Sequence, residues 1–251
     1  MTEPTEPDRW LGGRLTLRQP PRGAHRAGTD AVLLARLFEP PPGAVICDLG
    51  AASGAVGLAY AALHPECRVV LVEKEERLAV LARENAAENG LAERVTVVEA
   101  DVLAPGARRR EAGLLPDMAD ILVTNPPFFE EGRHRPSPVA GKASAHTFAA
   151  DGLEAWLRTC ADILRPSGQL GLIHRADSLP DCLDAMRKRF GTITVRPIHA
   201  APDRPAIRVL IGAVMGSRGP FSLLPPLVLH DASGRFTAEA EALHRGDLLT
   251  P

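Results

Sequence analysis

The sequence predicts an α/β fold: a mainly parallel sheet of seven strands, the last one antiparallel, with helices on both faces. Three observations carry that expectation. From residue 44 onward, short apolar runs alternate with helix-patterned segments, as parallel sheets with covered faces require. A glycine-rich turn, "DLGAASGAVG" (48–57), joins the first apolar run to a helix. Finally, "TITVRPI" (192–198) and "IRVLIGAVMG" (207–216) follow one another with no helix-sized segment between them, which makes them antiparallel neighbours.

Taken in order, residues 1–9 read as a disordered, acidic and proline-containing tail, and residues 10–43 as an N-terminal extension beside the site. Within it, "LGGRLTLRQP" (11–20) has the glycine pair of a small hairpin. "TDAVLLARLFE" (29–39) reads as a helix capped by Thr29 or Asp30 and stopped by Pro40, Pro41 and Pro42. The main domain spans 44–217. Its expected strands are "AVICDLG" (44–50), "RVVLVE" (68–73), "RVTVVEAD" (94–101), "DILVTN" (120–125), "GQLGLIH" (168–174) and the final pair. Helices are expected after the glycine turn to about residue 63, over 75–89 with Gly90 closing it, near 152–164 and over about 178–190. Residues 218–251 form a short extension that ends in a helix.

The 251 residues carry a net charge of −2, so any binding of nucleic acid must come from a local patch. Of 29 basic residues three are lysines (Lys74, Lys142, Lys188), and the arginine bias alone does not choose between composition and phosphate recognition. Cys47, Cys67, Cys160 and Cys182 are scattered, with no metal spacing, which predicts reduced buried thiols and no metal. The start of the chain is the opposite of a signal peptide, and no apolar run reaches a membrane span. A soluble, cytoplasmic protein is expected.

Several acids sit where strands of such a sheet end. Asp48 precedes Gly50 in the glycine turn, where a pyrophosphate would gain nothing from an anion but a cationic ligand would. Glu73 ends the second strand, placed to accept two ribose hydroxyls. Asp101 ends the third, placed to accept from an adenine amino group. Each alone also fits a plain turn or a solvated strand end; three in succession favour a ligand. "NPPFF" (125–129) closes the fourth strand, because proline cannot donate to a ladder.

"VICDLGAASGAVGL", "VEKEERLAVLARENAAENGL", "VVEAD" and "NPPFF" resemble the successive motifs of the class I S-adenosylmethionine-dependent methyltransferases, whose sheet is Rossmann-like. The resemblance implies S-adenosyl-L-methionine as cofactor, with contacts from Thr29, Asp48, Gly50, Ala52, Gly54, Glu73, Lys74, Asp101, Val102 and Asn125. One departure is Ala52, which stands where the family has a second glycine. By the same resemblance Asn125 and the Pro126 carbonyl accept the two hydrogens of a target amine, and Phe128 stacks on its plane. The role of Phe129 stays open between stacking and core. An exocyclic amine is a poor nucleophile, and two fixed acceptors favour the positive charge that develops on it.

"QPPRGAHRAGTDAVLLA" (19–35) and "LLPPLVLHDASGRFTAEAEALHRG" extend the likeness to the bacterial tRNA adenine-N6 methyltransferases, over roughly residues 10–246. RNA, and tRNA in particular, is therefore the expected partner. Arg22, His25, Arg26, Arg133, His134, Arg135 and Arg175 are the candidate RNA contacts, against the reading that they are ordinary solvated surface. "RRR" (108–110) is read as solvated. Four rivals remain. Methylation of a protein glutamine or of guanine N2 would use the same loop, although glutamine methyltransferases carry a helical domain for which there is no room ahead of Cys47. An NAD(P)-dependent oxidoreductase is disfavoured by Asp48 and the NPPF strand end. A non-catalytic RNA binder is raised by Ala52.

Overall fold

The computed structural model describes residues 7–20, 26–127 and 152–247. Strands β3 (Val45–Leu49), β4 (Arg68–Glu73), β5 (Val95–Glu99), β6 (Ala119–Thr124), β7 (Leu164–Arg175), β8 (Phe190–His199) and β9 (Ala206–Met215) build the expected seven-stranded core. Their order across the sheet is β8-β9-β7-β6-β3-β4-β5, with β9 antiparallel to both β7 and β8. β3 pairs in parallel with β4 on one side and β6 on the other. The chain order therefore reverses at β3, and a crevice opens at the carboxyl ends of β3 and β6.

Each central strand is buried on both faces, which is why it reads as a continuous apolar run rather than an alternating one. Ile46, Val69, Leu71, Ile121 and Val123 face a core shared with α1 (Thr29–Ala35), α2 (Ala55–Leu63), α3 (Glu76–Glu88) and α7 (Ala238–Arg245). Cys47, Leu49, Val70, Val72 and Leu122 face the opposite core, filled by α5 (Gly152–Ile163) and α6 (Leu179–Met186). The short α4 (Gly106–Glu111) buries no residue. Two of its arginines, Arg108 and Arg110, are exposed, and Arg109 pairs with Asp162 at 2.9 Å.

The structure departs from the sequence expectation in three places. The hairpin begins earlier: β1 (Asp8–Trp10) pairs antiparallel with β2 (Leu15–Leu17), so Asp8 and Arg9 belong to it and not to the tail. Leu11, Gly12 and Gly13 are the turn, all at positive φ (53°, 65° and 91°), and a turn needs a strand on each side. Second, among the described residues the sheet has nine strands. β10 (Ser222–Leu223) and β11 (Leu227–Val228) line the outer edge of β8 in parallel, split by Pro225 and Pro226, which cannot donate to a ladder. Third, α1 is capped by Gly28 with no side-chain hydrogen bond, so neither Thr29 nor Asp30 is the cap. The helix also ends at Ala35, ahead of the prolines.

Two asparagines fasten the N-terminal hairpin to the main domain. Asn85 and Asn89 lie one turn apart on one face of α3. Asn89 accepts from Thr16 N–H (2.9 Å) and donates to the Thr16 carbonyl (2.7 Å). Asn85 accepts from Arg18 N–H (2.8 Å) and donates to the Arg18 carbonyl (3.0 Å). Each amide acts as a one-residue ladder partner, and the four-residue helix step matches the two-residue strand step, since both are about 6 to 7 Å. Asn85, fully buried, also donates to the Ser53 carbonyl at 2.9 Å and so ties the hairpin to the glycine turn.

Candidate active site

A cleft of about 490 Å³ occupies the crevice. Its floor is the glycine turn with Asp48, and one wall is the start of α1. The other side carries Asn125, at the end of β6, with Arg208 of β9. Of the cofactor residues expected from sequence, Thr29, Asp48, Gly50, Ala52 and Asn125 line this one space. Among the described residues no histidine, cysteine or lysine lines it, so Ser53 has no imidazole or amine general base there to make it a nucleophile.

Asp48 is 2% exposed, and its Oδ2 accepts from Gly57 N–H at 2.8 Å. Burial pushes its carboxyl up to about 7, with the Gly57 hydrogen bond opposing and the nearby Glu73 charge adding to the rise. A cation in the cleft would favour the ionised form. Gly57 cannot be larger: a Cβ there would lie 2.2 Å from Leu71 Cδ2.

The turn is fixed from below. Gly50 and Ala51 N–H both donate to the Val72 carbonyl (2.9 Å each), and Gly54 N–H donates to the Ala51 carbonyl (2.8 Å). Gly50 packs directly on Trp156, whose ring carbons lie 3.1 Å from where a Cβ would stand. Trp156 Nε1 donates to Thr124 Oγ1 (3.0 Å), which donates to the Leu49 carbonyl (2.8 Å). This buried chain joins the ends of β3 and β6, and so sets Asn125 relative to Asp48. Ala52 has φ +49°, a left-handed conformation that the family's glycine adopts without strain.

Glu73 is 8% exposed and does not line the cleft. Its carboxylate accepts from Ala52 N–H (2.9 Å), Lys74 N–H (2.8 Å) and Glu75 N–H (2.9 Å), pinning Ala52 to the end of β4. Gly54, Lys74, Asp101 and Val102 also lie outside the cleft lining. Lys74 and Asp101 are exposed, and Asp101 accepts from Leu103 N–H at 2.9 Å. Val102 is core, its carbonyl accepting from Thr159 Oγ1 at 3.0 Å.

Pro126 is buried, while Phe128 and Phe129 fall outside the described residues. So do Arg22, His25, Arg133, His134 and Arg135 among the expected RNA contacts. Arg26 lines the cleft, held by Asp8 Oδ2 (2.6 Å) and the Pro20 carbonyl (2.8 Å). Arg175 lines a neighbouring hollow with Arg208 and is paired with Asp177. Sequence reasoning missed Arg208, which lines the cleft and pairs with Asp30 at 2.8 Å. It also missed Thr124, Trp156 and Asn85. The i, i+4 spacing of Asn85 and Asn89 on one helix face was a visible signal for the last of these.

The family model for the methyltransferase small domain matches residues 26–198, the segment that contains every cleft residue named above except Arg208. The chain belongs to this family. It is a methyltransferase, and its cofactor is S-adenosyl-L-methionine. Over 225 residues it is 29% identical to a tRNA1(Val) (adenine(37)-N6)-methyltransferase of Porphyromonas gingivalis, covering 86% of each chain. It is 32% identical over 189 residues to a release factor glutamine methyltransferase of Moorella thermoacetica, covering 71% of this chain and 64% of that one. Among solved structures, a predicted O-methyltransferase of Agrobacterium tumefaciens superposes with a TM-score of 0.74 at 32% identity, covering 88% of this chain and 98% of its own.

The cleft suits that cofactor. A buried carboxylate on its floor answers a ligand with ammonium and sulfonium charges. The small residues Gly50, Ala51, Ala52 and Ala55 let a ligand approach the backbone closely.

Proposed function

We propose that the protein methylates the N6 amine of an adenine in RNA, a tRNA base beside the anticodon. The observation that carries this reading is Asn125, followed by two prolines, at the end of β6 in the same cleft as Asp48. The bound cofactor supplies an electrophilic methyl group. Asp48 and the glycine turn hold its cationic end, Thr29 stands at the α1 wall, and Glu73, Lys74, Asp101 and Val102 serve its nucleoside at the ends of β4 and β5.

The Asn125 side-chain oxygen accepts one hydrogen of the target amine and the Pro126 carbonyl accepts the other. That pair of acceptors directs the nitrogen lone pair along the line of transfer and stabilises the developing positive charge. After transfer the nitrogen sheds a proton to water, so no strong base is needed, in keeping with a lining that holds no histidine or lysine among the described residues. Phe128 stacks on the base, offsetting part of the cost of unstacking it from the RNA. Arg26, which lines the cleft, and Arg175, which lines the neighbouring hollow, serve the phosphates together with Arg22, His25, Arg133, His134 and Arg135. Such a protein would work in the cytoplasm, where tRNA matures.

The glutamine-methylating relatives favour a second target, a protein amide, because the same two acceptors suit it. An assay with labelled S-adenosyl-L-methionine and a cell extract, fractionated into RNA and protein, separates the two. Label in the RNA fraction is expected; label confined to protein would move the target.

A further inference from the structure

Next to the cleft lies a second hollow of about 580 Å³, lined by Arg9, Trp10, Gly12, Gly13 and His244 among others. Ala27, Gly28 and Thr29 line both spaces, so a single turn of backbone at the start of α1 separates them. Methyl transfer does not use it. Its lining has the chemistry of a stacking platform. Trp10 and His244 are both half-buried and both line the hollow.

The aromatic surface continues outward from His244. Phe236, 38% exposed, packs on His244 with centroids 4.8 Å apart, and His230 stacks on Phe236 at 4.7 Å and 20°. His244 Nε2 lies 3.5 Å from Thr29 Oγ1, which fixes the row against the dividing wall. Burial lowers the pKa of the His244 imidazole, so the ring is neutral near pH 7 and presents an aromatic face without a charge to solvate. Asp8, the acid at the rim, is engaged by Arg26 and Gln19. Arg9 is exposed and makes no ion pair among the described residues, as a phosphate contact requires.

We infer that this hollow seats a nucleobase adjacent to the target adenine, stacked on Trp10 and His244, with Arg9 on the intervening phosphate. Aromatic rings beside a basic side chain are how proteins hold single-stranded bases without reading their edges. The short wall between the spaces suits successive nucleotides splayed apart, one entering the cleft and the next the hollow. The inference rests on the RNA substrate proposed above, and it names residues that fix which loop nucleotides are engaged.

The test uses the full chain and an unmodified tRNA transcript with 2-aminopurine placed on either side of the target. Binding to wild-type protein should quench the probe at one of the two positions. Trp10→Ala should remove the quench and raise KM for RNA about tenfold, the scale of one lost base stack. Trp10→Phe should restore most of both, and His244→Ala should give a smaller rise in KM, with the cofactor Kd held in each variant. Because Trp10 also touches the core, each variant is first checked for a wild-type melting temperature; if Trp10→Ala melts early, Trp10→Phe and His244→Ala decide. Wild-type methylation of the transcript with no change in probe signal at either position, or a wild-type KM for folded Trp10→Ala and His244→Ala, would overturn the inference. Absence of N6-methyladenosine from wild-type reactions would instead remove the RNA reading, and this inference with it.

Discussion

At the scale of single residues, the account turns on Asn125 and Asp48. Replacing Asn125 by Ala removes one of two acceptors for the reacting amine, and kcat should fall about 100-fold or more. Cofactor affinity should stay within a few-fold, which isothermal titration can check. Asp48 makes a prediction about pH. Its carboxyl is raised to about 7 by burial, so folding favours the neutral form. The stability this gives is fully present below the ordinary carboxylate value and is lost as pH rises through about 7. Urea midpoints of the cofactor-free protein should therefore decline from pH 5 to pH 7.5 through this residue, and Asp48→Asn should lessen that decline. The cofactor needs the ionised form, so its affinity should rise over pH 6 to 8 in the wild type and stay low and flat in Asp48→Asn. Both residues were legible in sequence because their chemistry is unusual at a strand end. Glu73 was only half legible: its place at the end of the second strand was expected, with ribose hydroxyls as its partners, but its hydrogen bonds to Ala52, Lys74 and Glu75 were not. Backbone donors leave no trace in residue type.

At the scale of elements, the site depends on how the hairpin, α3 and the glycine turn are joined. Asn85→Ala would leave the Arg18 amide and the Arg18 and Ser53 carbonyls without their partner. It should cost about 2 kcal/mol of stability in urea unfolding, the scale of buried groups left unpaired. The cofactor Kd should rise as well, since Ser53 lines the cleft. Gly57→Ala drives a methyl group into Leu71 and Val69 between α2 and β4, for which overpacking costs of about 1 to 3 kcal/mol are usual. The central strands and α3 were read correctly because burial on both faces and a closing Gly90 are strong local patterns. β1, β10 and β11 were missed for the opposite reason. Strands of two or three residues carry no period, and they exist because a partner edge is present.

For the whole molecule, the reversal of strand order at β3 does the decisive work. It places the glycine turn from one half and the Asn-Pro-Pro turn from the other on a single crevice, though 77 positions separate Asp48 from Asn125 in the chain. That convergence follows from the alternating strand–helix pattern and the right-handed crossovers it imposes, which is why the cleft could be anticipated before any coordinates. Arg208 escaped because it reaches the cleft from the antiparallel β9, for which no motif exists. The most direct test is nucleoside mass spectrometry of tRNA from a strain lacking the protein, after incubation with S-adenosyl-L-methionine and either the wild type or Asn125→Ala. The account predicts N6-methyladenosine with the wild type and none above background with the variant, which still binds the cofactor. A full N6-methyladenosine signal with Asn125→Ala, or N2-methylguanosine in its place with the wild type, would contradict it.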